Sequence, residues 1–316
     1  MSRELSELKK EKIAVLAGGV SCEREISLIS GQKVLEALSA LGFSPLWVDP
    51  AEGDFISVLK NERVTLAFLA LHGTFGEDGT VQALLEKEGI LYTGPGPRAS
   101  ELAFDKSKSQ TVFKKEGILV PDFTVFSSLS ELLPGAPFKV PFVVKPTRSG
   151  SSVGVTIVRD ERDYLKAANE AFKYSDGILV EQFIAGRELT VGILGEEALP
   201  IVEVIAKREF YDYEAKYRDS GTRYEVPAKL SNAEAEKVSS EALAAYRALK
   251  CERMSRVDLI LGADGRVYVL ELNTIPGLTA KSLLPKAAAQ RGIDFSGLCV
   301  KILGLALNKR TAKIYG

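Results

Sequence analysis

Residues 254–274 read MSRVDLILGADGRVYVLELNT, two short apolar runs on either side of the turn GADG. Apolar runs flanking a Gly/Asp-rich turn predict two strands joined as a hairpin. Because strand side chains alternate between faces, Arg256 shares a face with Asp258, and Glu271 shares one with Asn273. Antiparallel pairing can therefore bring a guanidinium, two carboxylates and an amide onto one patch.

Such a patch suits a hard cation, since Mg²⁺ is usually held by one or two carboxylates together with phosphate oxygens. An adjacent arginine can stabilise charge on a transferring phosphoryl group. The alternative is a solvated hairpin with a surface ion pair. Against that alternative, Glu271 is embedded in the apolar run VYVLEL, where an unpaired charge is costly to bury. The sequence therefore predicts a metal site on this hairpin.

The composition excludes several classes of function. The chain has 316 residues, enough for two or three domains, and its 41 basic and 42 acidic residues give a net charge of -1, with no global basic excess for nucleic acid or a membrane. Cys22, Cys251 and Cys299 form neither a disulfide framework nor a cysteine zinc site. The charged N-terminus lacks a signal-peptide core, and no apolar run approaches the roughly 20 residues of a membrane span. We expect a cytoplasmic protein that binds neither nucleic acid nor a membrane.

The first third of the chain alternates strands and helices. KIAVLAG, SPLWVD, TLAFLAL and ILYTG predict strands, whereas residues 27–41 and the segment TVQALLEKEG have helical spacing. This alternation predicts a doubly wound parallel sheet in an α/β domain. The turn-rich segment YTGPGP at 92–97 marks a domain boundary, and one helix is predicted over 99–115.

From Pro121 onward, strands and turns dominate, with helices predicted around 161–174 and over 232–249. This rhythm predicts α+β modules, with a weaker boundary at IAG, residues 184–186. Residues 210–227 are polar and aromatic without a clear period, which predicts a long mobile loop of the kind that forms lids. The predicted domains are residues 1–97, 98–185 and 186–316.

A Gly/Ser-rich loop, KPTRSGSSVG at 145–154, lies between two predicted strands. Its backbone N–H groups and the hydroxyls of Ser151 and Ser152 can close over phosphates. It is not a Walker loop, since the Walker pattern is absent and no helix is predicted after it. Such a loop alone can equally be a flexible turn, but the neighbouring metal hairpin favours phosphate binding.

Three further residues have both a functional and a structural interpretation. His72 is the only histidine, which excludes a histidine metal cluster and a Ser–His–Asp triad, and it follows a strand at the end where α/β sheets bind ligands. Glu23 lies at a predicted helix start after a Gly-Gly turn, where a carboxylate is favoured whether or not it binds anything. For Glu181, at a strand end, the residues alone favour a solvated position.

Several blocks occur together in one order: GGVSCEREISLISG, LHGTFGEDGTVQALLE, YTGPG, KPTRSGSSVG, FYDYEAKY, and RVDL with LELNTIPGLT. From residue 12 to about residue 290 the chain resembles the D-alanine–D-alanine ligase family of the ATP-grasp superfamily. The resemblance implies an N-terminal pre-ATP-grasp α/β domain followed by a two-module ATP-grasp α+β fold. It also implies that ATP phosphorylates one D-alanine, and that the amine of a second attacks the acyl phosphate, for peptidoglycan precursor synthesis.

The resemblance assigns roles residue by residue. The catalytic residues are Glu23, Ser151, Tyr217 and Arg256. The amino-acid substrates are bound by His72, Gly277 and Ser282. ATP is bound by Lys106, Lys145, Ser151, Ser152, Glu181, Gln182, Phe183, Ile184, Glu188, Phe210, Tyr211, Lys216 and Asn273. The metal ligands are Asp258, Glu271 and Asn273.

The same resemblance implies cofactors, partners and alternatives. It implies two Mg²⁺ or Mn²⁺ ions and a homodimer formed through the N-terminal domain, and it leaves open whether a monovalent cation such as K⁺ activates the enzyme, as in some relatives. One alternative is a D-Ala–D-lactate or D-Ala–D-Ser ligase, although ester-forming relatives carry a histidine in the lid where this chain has Tyr217. The other is an inactive nucleotide-binding regulator, against which the intact residues of the hairpin argue.

Overall fold

A four-stranded parallel sheet forms the first part of the fold, in a computed structural model that describes residues 3–132, 135–205 and 222–315. Its strand order is β2-β1-β3-β4, and the two central strands are buried along their whole length. The predicted doubly wound parallel sheet is therefore confirmed. The elements are β1 (Ile13–Leu16), β2 (Leu46–Val48), β3 (Leu66–Leu69), β4 (Leu91–Tyr92), α1 (Arg3–Leu8), α2 (Arg24–Ala40), α3 (Phe55–Asn61) and α4 (Thr80–Lys87).

The single helix predicted over 99–115 is wrong, because two helices, α5 (Pro97–Phe104) and α6 (Lys106–Lys115), meet at Asp105. Asp105 has an extended backbone, and its carboxylate accepts hydrogen bonds from two backbone N–H groups in the first turn of α6. This N-cap stabilises a new helix start. The break places Lys106 at the first position of α6.

An antiparallel sheet of order β5-β8-β6-β7 forms the second part. No helix follows the Gly/Ser loop, which leads into the third strand of this part, as predicted. The helix predicted around 161–174 is a short 3₁₀ turn followed by a helix whose buried alanines pack on the sheet. The elements are β5 (Phe123–Phe126), β6 (Phe142–Pro146), β7 (Thr156–Val158), α7 (Tyr164–Ala171) and β8 (Ile178–Gln182).

The third part is a larger antiparallel sheet of order β12-β11-β9-β13-β14, with β10 paired to β9. Its helix α8 begins at a capping box formed by Ser231 and Glu234, and its apolar side packs on the sheet. The elements are β9 (Gly186–Leu194), β10 (Glu197–Ala198), β11 (Val202–Ile205), β12 (Arg223–Glu225), α8 (Asn232–Ala248), β13 (Met254–Gly262), β14 (Val267–Asn273), α9 (Leu283–Gln290) and α10 (Phe295–Tyr315).

The loop predicted over 210–227 is wrong at its C-terminal end. Residues 223–225 form β12, which pairs with β11 and so supplies backbone partners to that strand. Tyr224 and Val226 also pack against an apolar core, which anchors this end of the segment. The remainder of the predicted lid, up to residue 221, lies outside the described residues.

The C-terminal helices return to the N-terminal sheet. Buried side chains of α9 and α10 belong to the same apolar cluster as β1 and β3, and α10 packs on α2. The return brings the segment before α9 next to the ends of the first sheet, and the domain limits at 97/98 and 185/186 remain predictions. Within the described ranges, no helix is both long enough and apolar enough to cross a membrane.

Candidate active site

The β13–β14 hairpin forms as predicted and aligns the four polar side chains in two cross-strand pairs. Asp258 lies opposite Glu271, and Arg256 lies opposite Asn273. The guanidinium of Arg256 donates to both oxygens of Asp258, from Nε at 2.9 Å and from Nη2 at 2.7 Å. Nδ2 of Asn273 donates to Asp258 Oδ2 at 3.1 Å. The hairpin thus holds an arginine, two carboxylates and an amide on one patch.

Residues outside the hairpin fix its carboxylates. Thr190 on β9 donates from Oγ1 to Asp258 Oδ1 at 2.5 Å. Nζ of Lys106 lies 3.5 Å from Glu271 Oε2 and donates to the backbone carbonyl of Ser149 at 2.6 Å. Lys106 therefore links the hairpin to the Gly/Ser loop across the gap between the two antiparallel sheets.

The hairpin residues fit a Mg²⁺ ion that is shared with phosphate. In the parts of the chain that the structure describes, no three His, Cys, Asp or Glu side chains form a group able to hold a metal. Asp258, Glu271 and Asn273 therefore supply only part of a coordination shell. That is the ligand set expected for Mg²⁺, which keeps water ligands and is completed by substrate phosphates.

The larger cleft, of about 1040 Å³, lies between the second and third sheets. Val143 and Ile157 of one sheet, with Val155 just before β7, line one wall, and Ile260 and Leu270 of the other sheet line the opposite wall. Its polar lining consists of predicted ATP-binding and metal-binding residues: Lys106, Lys145, Ser152, Glu181, Gln182, Glu188, Asp258 and Glu271, beside Phe183 and Ile184. An apolar slot with cations and carboxylates at its edge can hold a purine base and its phosphates.

Glu181 is buried, not solvated. It is 4% exposed, and its Oε1 accepts from Nζ of Lys145, itself 5% exposed, at 2.7 Å. Its Oε2 accepts from Nε2 of Gln110 at 3.1 Å. A lysine ammonium carries three donors, so Lys145 retains hydrogen-bonding capacity beyond this ion pair.

The smaller cleft, of about 650 Å³, lies where the first sheet, the Gly/Ser loop and the hairpin meet. It is lined by Glu23, His72, Glu77, Gly150, Ser151, Arg256, Asn273, Gly277 and Ser282, among others. Ser151 donates its hydroxyl to Glu23 Oε1. A Cβ on Gly150 would come 2.1 Å from Glu23 Oε2, so a larger residue at this position would displace the Glu23 carboxylate.

The Gly/Ser loop forms a wall between the two clefts. Ser151 and Ser152 both have left-handed backbones, with φ of 50° and 58°. Ser151 lines the smaller cleft and Ser152 lines the larger one. On the hairpin, Asn273 and Glu271 divide in the same way. Strained backbone of this kind is frequent at functional sites, and here it directs neighbouring hydroxyls to different clefts.

His72 is neutral at physiological pH. Burial and, to a smaller extent, the nearby charge of Arg256 lower the pKa of its imidazole to about 4, against the opposing effect of a backbone hydrogen bond at Ile275. Its Nε2 lies 3.1 Å from the hydroxyl of Ser30. An uncharged imidazole can polarise or orient a substrate, but it brings no positive charge to the smaller cleft.

Ser282 and Gly277 lie together at a helix start. Ser282 precedes the first residue of α9, and a Cβ on Gly277 would lie 2.8 Å from the hydroxyl of Ser282. The hydroxyl of Ser282 also accepts from the backbone N–H of Thr279 at 2.9 Å. Backbone N–H groups at a helix N-terminus attract anions, so this end of the smaller cleft suits a carboxylate.

Glu77, for which the sequence predicts no role, lies in the wall of the smaller cleft. Its Oε2 accepts from the backbone N–H of Gly73 at 2.7 Å. Burial and the negative charge of Glu23 raise the pKa of the Glu77 carboxyl far above its ordinary value, against the opposing charge of Arg256. Its block, LHGTFGEDG, was recognised, but its proximity to Glu23 depends on tertiary structure.

We expect Glu77→Gln to remove a pH dependence of stability. Above pH 4.5, the ordinary carboxyl value, an unfolded Glu77 releases a proton that the folded protein retains. The folded state therefore binds more protons, and its stability falls as the pH rises from that value through the raised pKa. The amide of a glutamine does not titrate, so the variant should not lose stability in this way. Its stability relative to the parent should therefore rise towards neutral and alkaline pH. Urea titrations across this range measure it, with Glu236→Gln on the exposed side of α8 as the control; a constant difference at every pH would contradict the shift.

Four predicted residues lie outside the described part of the chain: Phe210, Tyr211, Lys216 and Tyr217. Their predicted contacts to ATP and to the substrate side remain predictions. The other predicted site residues all line one of the two clefts.

A cleft between two antiparallel α+β modules, with a buried lysine, a Gly/Ser loop and a carboxylate hairpin, defines an ATP-grasp fold. The family model described as D-ala D-ala ligase C-terminus matches residues 112–304, and the one described as D-ala D-ala ligase N-terminus matches residues 51–95. A D-alanine–D-alanine ligase of Citrifermentans bemidjiense is 49% identical over 302 residues, covering 96% of this chain and 98% of that protein. One from Geotalea uraniireducens is 45% identical over 310 residues, with 96% and 98% covered. The chain belongs to the D-alanine–D-alanine ligase family.

Solved structures agree in fold. The D-alanine–D-alanine ligase of Bacillus anthracis in complex with ATP superposes with a TM-score of 0.84 at 33% identity, covering 96% of this chain and 99% of that one. Another structure of the Bacillus anthracis enzyme gives a TM-score of 0.85 at 36% identity, with the same coverage. The architecture of all three parts is therefore that of this family.

Proposed function

We propose that this protein joins two D-alanine molecules into D-alanyl-D-alanine, with conversion of ATP to ADP and phosphate, as a step in peptidoglycan precursor synthesis. The observation that carries the proposal is the shared wall between the two clefts. Adjacent serines of one loop, and alternate residues of one strand, line opposite sides of it. This arrangement supports phosphoryl transfer from a nucleotide in the larger cleft to a carboxylate in the smaller one.

The first step is phosphorylation of a D-alanine carboxylate. Glu23, fixed by Ser151, accepts hydrogen bonds from the ammonium group of this D-alanine. A carboxylate oxygen attacks the γ-phosphorus, the bond to the β-phosphate oxygen breaks, and ADP leaves. Arg256, which lines the smaller cleft and donates to Asp258 of the larger one, stabilises charge on the transferring group, and neutral His72 orients the acyl phosphate.

The second step forms the peptide bond. The carboxylate of the second D-alanine binds at the start of α9, near Gly277 and Ser282. Its amine, after losing a proton, attacks the carbonyl carbon of the acyl phosphate and forms a tetrahedral intermediate whose oxyanion Arg256 stabilises. Breaking the carbon–oxygen bond to phosphate completes the dipeptide. Tyr217, from the segment outside the described residues, is proposed to close over this site.

The larger cleft binds ATP. The adenine lies between the apolar walls, with its amino group directed at Glu181 and the backbone from Gln182 to Ile184, and the ribose hydroxyls at Glu188. The phosphates are contacted by Lys106, Lys145 and Ser152. The nucleotide is also contacted by three residues of the predicted lid: Phe210, Tyr211 and Lys216. Asp258, Glu271 and Asn273 would hold Mg²⁺ or Mn²⁺, which when bound neutralises phosphate charge.

The remaining proposals concern the location, oligomeric state, cation activation and domain division of the enzyme. We propose a cytoplasmic homodimer assembled through the N-terminal domain, K⁺ activation as in some relatives, and a division into residues 1–97, 98–185 and 186–316. These proposals are supported by family membership and by the three sheets of the fold. Size-exclusion chromatography with light scattering tests the dimer, and assays with K⁺ or Na⁺ test the activation.

The test of function is a competition between acceptors. The protein is given ATP and Mg²⁺ with D-alanine plus D-serine or D-lactate, and every dipeptide and depsipeptide product is quantified with ADP. We expect D-alanyl-D-alanine as the main product and ADP formation that depends on D-alanine. Dominant D-Ala–D-Ser or D-Ala–D-lactate would assign the alternative ligases, and ATP binding without turnover would assign the regulator.

A further inference from the structure

Gln110 is a buried polar residue of α6 that the proposed mechanism does not use. It is 0% exposed, and its Nε2 donates to Glu181 Oε2 at 3.1 Å and to the backbone carbonyl of Leu270 at 3.3 Å. One amide group carries two N–H donors, so both are engaged. The two acceptors lie on β8 and β14, which belong to the opposite sheets that form the walls of the larger cleft.

At Glu181, Gln110 completes a two-sided restraint. Lys145 holds Oε1 at 2.7 Å and Gln110 holds Oε2. A buried carboxylate restrained at both oxygens has one orientation, and its remaining acceptor capacity has a fixed direction in the cleft. Because Lys145 alone contacts only one oxygen, the direction of the carboxylate plane depends on Gln110.

At Leu270, Gln110 supports an irregular strand. The register of the hairpin shifts between Asp258 and Leu259: Asp258 pairs with Glu271, whereas Leu259 pairs with Val269. Leu270 is therefore the extra residue of a β-bulge, and bulged residues lack ladder partners. The carbonyl of Leu270, next to the predicted metal ligand Glu271, instead accepts from Gln110.

The carbonyl oxygen of Gln110 makes the amide costly to keep. Its Oε1 is buried and accepts no hydrogen bond from any residue in the described ranges. A desolvated amide oxygen without a donor opposes folding, and an apolar side chain of similar length would avoid that cost. What favours the amide is the pair of hydrogen bonds that its Nε2 donates, and both acceptors belong to residues that line the larger cleft.

We propose that Gln110 is a positioning residue for nucleotide recognition. It holds Glu181, which reads the base, and the β-bulge before Glu271 at a fixed position relative to each other. The proposal rests on ATP binding in the larger cleft with Glu181 facing the adenine amino group. Through Gln110, the base end and the metal end of the cleft share a single buried amide. A nucleotide whose base contacts Glu181 therefore arrives with its phosphates aligned to the hairpin.

The test is a thermodynamic cycle that combines the substitution Gln110→Met with removal of the 6-amino group from the base. Methionine keeps the length and apolar volume but removes both donors. Steady-state kcat/KM is measured with ATP and with purine riboside triphosphate, which lacks the amino group. We expect the parent to lose about tenfold or more with the analogue, as for a hydrogen bond to a charged group. In Gln110→Met the loss should shrink to about threefold or less, with KM for ATP raised and KM for D-alanine unchanged.

Two further variants keep the outcome interpretable. Gln110→Glu is nearly isosteric and places a carboxylate against Glu181, so it should also lose discrimination between the two nucleotides. Thr111→Val, which removes an exposed hydroxyl bonded to the Ser107 carbonyl at 2.7 Å, should keep the parent discrimination. Both nucleotides are compared on one preparation, so the ratio does not depend on the folded fraction.

The failures of the two proposals are distinct. A parent that uses both nucleotides equally well would overturn the adenine-reading role of Glu181, and with it this inference. A parent that discriminates, with both Gln110 variants discriminating equally, would overturn the role of Gln110 alone. Equal rises in KM for ATP and for D-alanine would assign Gln110 a general structural role and contradict the proposal.

Discussion

Glu271→Gln is expected to lower the turnover of ligation by about a hundredfold to a thousandfold, the scale seen when one preorganised electrostatic group is removed. The change removes one of the two carboxylates that face each other on the hairpin and leaves the side-chain volume unchanged. The charge that would hold Mg²⁺ against the phosphates is then halved. Turnover at saturating ATP and D-alanine, measured over a Mg²⁺ titration, gives the effect.

The control for this variant is Asp264→Asn, which also neutralises a carboxylate on the hairpin. Asp264 lies in the turn, where it accepts from Arg266 at 2.6 Å and from Tyr268 at 2.8 Å, away from both clefts. It should retain parent turnover, and both variants should melt cooperatively near the parent temperature. Parent-like turnover of Glu271→Gln at saturating Mg²⁺ would show that the metal assignment is wrong.

Arg256→Lys is expected to lower turnover by about a hundredfold although it conserves the charge. The guanidinium donates through two nitrogens to both oxygens of Asp258 while it lines the smaller cleft. A lysine ammonium is a point donor without this planar fork, so it cannot hold Asp258 and the reacting group in one plane. We expect kcat to fall more than KM for D-alanine rises, because the contact matters most in the transition state.

Arg266→Lys is the matched control on the same hairpin. Arg266 is exposed in the turn and contacts Asp264, so its replacement should leave kcat within about twofold of the parent, as for most surface substitutions. If Arg256→Lys behaves like Arg266→Lys, the arginine has only a structural role in orienting Asp258.

The hairpin was predictable because it is local. A seven-residue strand, a short Gly/Asp turn and side-chain alternation determine that Arg256, Asp258, Glu271 and Asn273 share a patch. The β-bulge at Leu270 was not predictable in the same way. Its sequence, VYVLEL, is regular, and the bulge forms where the strand meets α6 through Gln110.

Two errors at the level of elements also have physical causes. The helical spacing of 99–115 continues through Asp105, but that residue caps a second helix instead of extending the first. The polar segment 210–227 shows no strand period, yet its end forms β12 because β11 presents an open edge to it. In both cases a backbone hydrogen-bonding requirement prevails over the side-chain pattern.

The roles of Glu77 and Gln110 could not be predicted from the sequence, because their partners are distant along the chain. Gln110 contacts residues 71 and 160 positions away, and no motif spacing encodes such contacts. Glu181 was interpreted from the residues alone as solvated, although the fold buries it with Lys145. The family resemblance assigned Glu181 to the ATP site, and in the structure it lines the larger cleft; the resemblance carries tertiary information that one sequence lacks.

Oxygen transfer from D-alanine to phosphate tests the central claim most directly. The protein is supplied with unlabelled ATP, Mg²⁺ and D-alanine whose carboxylate carries ¹⁸O, and the released phosphate is analysed by mass spectrometry. An acyl phosphate requires a carboxylate oxygen to attack the γ-phosphorus and to leave with the phosphate, so each phosphate should contain one ¹⁸O atom. Phosphate without the label, accompanied by ADP formation, would mean that water attacks ATP, and it would contradict phosphoryl transfer across the wall between the two clefts.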